Sequence, residues 1–273
     1  MIGQENIKKF LDNCVKHNTL SKFIIIRGEH GSGKKELVKY ISKITTFPVA
    51  YFSTSVDSVR ELITICYQQT KPIIYCIADC EKLSNNAQNA LLKICEEPPR
   101  NAYIILTLND DSLLSTLYSR AQLLIMEPYS YADMKLFGTK NLHIQNLEEK
   151  LKIAATPGDL IEFETSDFDA ISKYCDNVVS LINSANIGSA LKIGKKVKTK
   201  ESDDTTLFNL SVFIKVLLYK YAEKCKQSNG NSKQFAHYYS CWNCVYDAKK
   251  QLSHTYNKQY VVDEMILRLR EVQ

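Results

Sequence analysis

The stretch "GEHGSGKKEL", residues 28–37, brings together groups that could do chemistry. It follows an apolar run at 23–26 and nearly spells the phosphate-loop pattern G-x-x-x-x-G-K-[ST]. Gly28, Gly33 and Lys34 fall in place, so backbone N–H groups and an ammonium could converge on phosphate oxygens. The last place should carry a hydroxyl for Mg²⁺. It carries Lys35, whose ammonium cannot ligate a cation. An acidic pair to support the metal is expected after the apolar part of "IYCIADCEKLS", residues 74–84. Asp79 and Glu81 are there, but Ala78 takes the first acidic place. These residues predict an intact phosphate cradle beside a damaged metal site: nucleotide binding without efficient Mg²⁺-dependent hydrolysis. The competing reading is a bare glycine-rich turn. The order strand, loop, helix and acidic run favours the cradle.

Such a loop needs a strand before it and a helix after it. Short apolar runs at 23–26, 47–52, 72–78, 103–108 and 122–126 predict five strands. Ile7, Phe10, Leu11, Cys14 and Val15 recur at helical spacing. So do Leu37, Val38, Tyr40, Ile41 and Ile44, then Val59, Leu62, Ile63 and Cys66. Ala87, Ala90, Leu91, Ile94 and Cys95 mark a further helix, stopped by Pro98 and Pro99, and a short one is expected at 111–118. Strands alternating with helices predict an α/β fold, a parallel sheet of five strands with helices on both faces. Beyond Pro128 the strand signal fades. Helical patterns follow, the clearest at 178–193, 207–224, 235–254 and 261–272, with a turn at "TPGD" (156–159) and a polar loop at 226–234. The expected division is three parts: 1–128 as the α/β domain, 129–166 as a small helical lid, and 167–273 as a helical collar for oligomerisation.

Bulk properties set the class. The chain has 273 residues, 45% hydrophobic and 24% charged, which suits a globular protein. A net charge of +5 is compatible with touching a polyanion without pointing to one. The opening MIGQENIKKF has no apolar signal core, and no run approaches the roughly 20 residues that span a bilayer. A soluble, cytoplasmic protein with no membrane partner is expected. Nine scattered cysteines fall mostly in apolar segments, where the thiol behaves as a small buried hydrophobe. Cys241 and Cys244 alone have metal-like spacing. They supply two ligands where structural zinc needs four, so no zinc is expected and they are read as one helix face beside Trp242. The five histidines do not cluster. The lysines of "KIGKKVKTK", 192–200, could face DNA phosphates or form a solvated helix end. The following "ESDD" offsets their field. Glu96 and Glu97 read as a helix end or a reach toward a neighbouring subunit, more than as paired catalytic carboxylates.

Three segments carry a resemblance. "IGQENIKKFL" (2–11), "NAQNALLKICEEPP" (86–99) and "TLYSRA" (116–121) are similar to motifs of the AAA+ clamp-loader subunits, in matching order and spacing over residues 1–130. Within that family the chain most resembles the δ′ subunit of DNA polymerase III, bacterial or from a viral or reduced-genome relative. "NKQYVVDEMILRLRE" (257–271) is more weakly like the end of its collar domain. The resemblance implies an AAA+ P-loop domain, a lid and a collar. It implies a hetero-pentamer with other clamp-loader subunits, acting with a sliding clamp on primed DNA. It makes Arg120 an arginine finger given in trans to a neighbour's ATP, and puts Asn109 at the first sensor position. The implied nucleotide contacts are Gly28, Gly31, Ser32, Gly33, Lys34, Lys35, Asp79 and Asn109, with Ile2 and Gly3 of the opening box over the adenine. ATP or ADP is the implied cofactor, with Mg²⁺ left open. Three departures stand out. Lys35 and Ala78 argue against a motor subunit, "TPGDLIEF" lacks the second-sensor arginine, and the relatives' zinc module is missing. A stator tolerates these losses. The alternative is a motor subunit with its own ATPase activity.

Overall fold

Five apolar runs form one parallel sheet in the computed structural model, which describes residues 2–182, 186–198, 208–228, 230–252 and 257–272. The chain divides into two compact units. One holds residues 1–137 and 155–158, the other 138–154 and 159–273.

The first unit runs α1 (Glu5–Lys16), β1 (Phe23–Arg27), α2 (Lys34–Thr45), β2 (Val49–Phe52), α3 (Val56–Gln68) and β3 (Ile73–Ile77). A 3-10 turn at Cys80–Lys82 leads to α4 (Asn85–Glu96), β4 (Ala102–Leu108), α5 (Ser115–Tyr118) and β5 (Gln122–Ile125). The strand order is β2-β3-β4-β1-β5, all parallel, with Ile25 beside Leu106 of β4 and Leu123 of β5. Strand side chains alternate between the two faces, and both faces are covered, which is why the runs are apolar throughout. Ile24 and Ile26 pack with Leu37, Val38 and Ile41 of α2. Phe23 and Ile25 pack in the opposite layer with α3 and α4, through Val59, Leu62, Leu91 and Ile94. Ser55 and Ser84 accept hydrogen bonds from Ser58 N and Ala87 N, starting α3 and α4. With β2 three places away from β1, the strand order reverses at β1, so the loop after β1 opens at the carboxyl edge of a switch point.

α6 (Tyr131–Asn141) and α8 (Pro157–Thr165) span the boundaries between the units, with α7 (Leu147–Leu151) between them. The second unit continues with α9 (Phe168–Leu181), α10 (Ile187–Gly194), a two-residue strand pair β6 (Val197–Lys198) and β7 (Phe208–Asn209), α11 (Leu210–Gln227), α12 (Ser232–Leu252) and α13 (Lys258–Glu271). α11 is the core helix, packed on α9 and α12 through Val212, Phe213, Val216, Leu217 and Tyr221. Asp167, Asn186, Asn209 and Asn257 each cap the helix that follows, worth about 1 kcal/mol apiece. Partly buried Lys215 pairs with Asp159 at 2.7 Å and Glu162 at 2.6 Å, so its charge is compensated inside the unit. Cys241 and Cys244 face the bundle interior as apolar groups. Among the described residues, no three His, Cys, Asp or Glu side chains are placed to hold a metal ion. Of the lysine run, 199 and 200 lie outside the described residues, as does "ESDD".

The buried thiols have a measurable consequence. Burial pushes Cys66 and Cys76 from 9.0 up to about 12. Unfolded thiols ionise first, so above pH 9 the unfolded chain has lost protons that the fold retains, and stability falls as pH rises. The stabilisation is complete below pH 9. For these two groups a loss of about 1.5 kcal/mol is expected between pH 8 and 9.5, read by urea unfolding under reductant. A flat profile across that window would show that the two thiols ionise as freely in the fold as out of it.

Candidate functional site

The glycine loop turns sharply between β1 and α2. Gly31 and Gly33 hold φ of 77° and 86°, values that side chains with a Cβ rarely adopt. Lys34 opens α2, and its side chain curls back beneath the loop. Its Nζ donates to Gly28 O at 2.7 Å, Glu29 O at 2.9 Å and Asn109 Oδ1 at 2.7 Å. An ammonium has three N–H donors, and all three are spent inside the chain. Lys34 is buried, and burial pulls its pKa below the usual 10.5 against the opposing pull of Glu81, Asp79 and Glu29. Ser32 is buried too, and its Oγ has no hydrogen-bond partner among the described residues. Lys35 is exposed on the first turn of α2.

Asn109 follows β4, next to β1 in the sheet. Its Nδ2 donates to Glu81 Oε1 and its backbone N to Glu81 Oε2 at 3.3 Å. Lys34, Asn109 and Glu81 thus form one polar chain along the carboxyl edge of the sheet. Asp79, at φ 56°, turns its carboxylate outward to within 3.7 Å of Lys82 Nζ. Of the two acids, Glu81 is the one that bonds Asn109. Only the 3-10 turn after β3 decides which of the two acids points inward.

Two further segments close on the loop. Gly158 N donates to Gly31 O at 3.0 Å and Thr156 Oγ1 to His30 O at 3.1 Å. Tyr129 OH donates to Ser32 O at 2.7 Å, and its ring lies against Gly3, where an added Cβ would come within 3.1 Å. Gln4 is fixed beside it by paired bonds with the backbone of Glu127. Gly3 therefore shares Tyr129 with the loop. Tyr129, Thr156 and Gly158 were not among the sequence-derived site residues. Thr156 and Gly158 lie in the "TPGD" turn, whose distance along the chain hid its place.

Arg120 stands apart, in the turn after α5. Its Nη2 pairs with Glu96 Oε1 at 2.5 Å, and its Nη1 donates to Thr116 O at 2.7 Å and Ser119 Oγ at 3.3 Å. None of these bonds reaches the glycine loop. About a third of the side chain is exposed. Glu96 sits at the negative end of α4, a poor place for an acid, and Arg120 offsets it.

Residues 44–130 match the family model described as DNA polymerase III, delta subunit. Residues of this chain are 38% identical over 79 positions to the delta′ subunit of DNA polymerase III from Haemophilus influenzae, covering 28% of this chain and 24% of that one. They are 29% identical over 154 positions to the tau/gamma subunit from the same organism, covering 44% and 22%. A gamma-subunit-related protein of Thermotoga maritima shares the fold with a TM-score of 0.52, at 16% identity over 97% of this chain and 99% of that one. Over these stretches the chain is similar to subunits of DNA polymerase III.

The match to the family model includes Asp79, Glu81, Asn109, Glu96 and Arg120, and begins after the glycine loop. The chain spans about a quarter or less of the length of the two Haemophilus relatives it matches. An added Cβ at Gly158 would lie 2.4 Å from Gly31 Cα, backbone against backbone, with no flexible end to give way. Gly158→Ala is expected to lower stability by about 2 kcal/mol, and to speed amide exchange in the loop. Unchanged exchange at residues 28–33 would show that the strap does not hold the loop.

Proposed function

We propose that this chain is a δ′-like stator in the clamp loader of a replicative DNA polymerase. It takes one place in a hetero-pentamer of clamp-loader subunits in the cytoplasm. There it lends Arg120 to ATP held by its neighbour and helps place the sliding clamp on primed DNA. One observation supports this reading above the rest: Lys34 spends all three donors on its own chain, while Arg120 stands part-exposed on a turn outside that network. A planar guanidinium carried on a turn can meet phosphate oxygens across a subunit boundary with two parallel bonds. In the isolated chain Glu96 takes Nη2 and Thr116 O and Ser119 Oγ take Nη1, and a neighbour's phosphate would displace them.

The loop's own residues fit phosphate groups. Gly31 and Gly33 shape the turn, the orphan Ser32 hydroxyl offers a donor, and the start of α2 favours an anion. Bound ATP or ADP would supply a polyphosphate here. Releasing Lys34 from its three oxygens opposes that binding. For Mg²⁺ the site departs from the pattern at two places: Lys35 stands where a hydroxyl is expected and Ala78 where the first carboxylate is. No helix among the described residues is long and apolar enough to cross a membrane.

The test is reconstitution. Clamp loading onto primed DNA is measured in the assembly with and without this chain, alongside ATP turnover by the chain alone. Loading that depends on the chain, with no turnover by the chain itself, is the expected result. Mg²⁺-dependent turnover by the isolated chain, lost in Lys34→Ala, would make it a motor subunit instead.

A further inference from the structure

α12 carries a row of aromatic rings that the bundle does not use. Phe235, Tyr239, Trp242 and Tyr246 follow at steps of 4, 3 and 4, which puts them on one helix face. Successive ring centroids lie 5.9, 6.4 and 4.9 Å apart, with interplanar angles of 7°, 6° and 13°. The inward face of the same helix is formed by Cys241, Cys244, Val245 and Ala248. Phe235 and Tyr239 are about half exposed and Trp242 and Tyr246 are partly buried, so the row runs from the bundle's edge into water. Leaving large rings in water is unfavourable unless something covers them.

The charges around the row select the occupant. α12 carries Lys233, Lys249 and Lys250 against a single acid, Asp247. Asp247 faces Arg268 Nη2 of α13 at 3.5 Å, so its charge is engaged. Lys250 Nζ lies 4.5 Å from the Tyr246 ring centroid and Lys249 is exposed beside it, placing two cations at one end of the row. Parallel rings flanked by cations suit flat, π-faced groups joined by an anionic backbone. An aliphatic helix would gain little from the lysines and would leave the phenol hydroxyls without partners.

We propose that this face of α12 binds single-stranded nucleic acid, its bases stacking on Tyr239 and Trp242 and its phosphates meeting Lys249 and Lys250. Eleven residue steps of helix give the row a length of about 17 Å, room for about three to five nucleotides. Stacking reads no sequence, so pyrimidine DNA and RNA both bind, and the 2′-hydroxyl decides the preference between them. The site is independent of Arg120 and of the glycine loop.

Trp242 is the single tryptophan of the chain and lies within the row, so its fluorescence reports this surface alone. The full chain is titrated with a 12-mer of thymidine and a 12-mer of uridine. Saturable quenching is expected, with log affinity falling against log salt at a slope of about −1.4 for two phosphate contacts. Tyr239→Ala is expected to weaken binding about tenfold at unchanged circular dichroism. Phe235→Ala, at the exposed end of the row, gives a second variant should Tyr239→Ala fold poorly. Lys249→Gln with Lys250→Gln is expected to bring the slope toward zero. Stronger quenching by one oligomer assigns DNA or RNA as the ligand. Absence of quenching by both, or quenching that ignores Tyr239→Ala and Phe235→Ala, overturns the proposal. So does a Trp242 emission shift that depends on protein concentration alone, which would give the face to a second copy of the chain.

Discussion

Replacing Arg120 with alanine is expected to cut ATP turnover at the neighbouring subunit's site by about 10³-fold, the lower end of what a trans arginine contributes. The guanidinium would act on charge that grows on the transferring phosphoryl group, so kcat should fall while KM changes little. Arg120→Lys should recover only a small part of the rate, because a single ammonium cannot reproduce the planar fork. The loss should not come from misfolding. Arg120 and Glu96 form a part-exposed pair, and such pairs contribute under about 1 kcal/mol. The measurement is single-turnover hydrolysis by the complex of this chain with its ATPase neighbour, with unfolding of the isolated variant as control. Turnover within twofold of the parent would remove Arg120 from the mechanism and leave it as a tie between α5 and α4.

The second large effect is on stability. Lys34→Ala is expected to destabilise the first unit by about 3 kcal/mol and to match the parent chain in showing no ATP turnover. The substitution strands Gly28 O, Glu29 O and Asn109 Oδ1 without their donor, and an unsatisfied buried acceptor costs about 1–3 kcal/mol. Water entering the space recovers part of that. Glu81 would then keep a carboxylate beside Asn109 with its counter-cation gone. Burial lowers the Lys34 pKa, so charging this lysine is harder in the fold than in water. Between its lowered folded pKa and 10.5 the unfolded chain binds more protons, and this group's contribution to stability rises with pH, opposite in sign to the buried thiols. Urea unfolding followed by far-ultraviolet dichroism gives the first number, and phosphate release gives the second. A stable Lys34→Ala protein that has lost Mg²⁺-dependent turnover would identify a working nucleotide site.

Much of this architecture is written in the order of residue types. Ile24 and Ile26 on one face and Phe23 and Ile25 on the other make β1 apolar throughout, and that alone predicts a strand covered on both sides. Gly31 and Gly33 announce the turn, because their positive φ is open to few other residues. Ser84 ahead of α4 marks where that helix starts. The segments around "NALLKICEEPP" and "SRA" were enough to suggest the family. These signals are local: periodicity, φ preference and capping act over a few residues.

Where each polar group sends its bonds is a different matter. Lys34 could have faced a ligand; it faces Asn109, which is 75 positions away in sequence. Asp79 and Glu81 are equivalent on paper, and a 3-10 turn with one left-handed residue points the second inward. Arg120 meets Glu96 because α5 and α4 pack together. Gly158 touches Gly31 because the chain returns to the first unit after leaving it. Residue order alone set the elements, the loop and the departures at Lys35 and Ala78, since each depends on residue type within one short stretch. The tertiary structure decided which donors are spent, which carboxylate enters the site and which rings stay in water. Those outcomes are set by contacts between segments far apart in the chain, where no local preference acts.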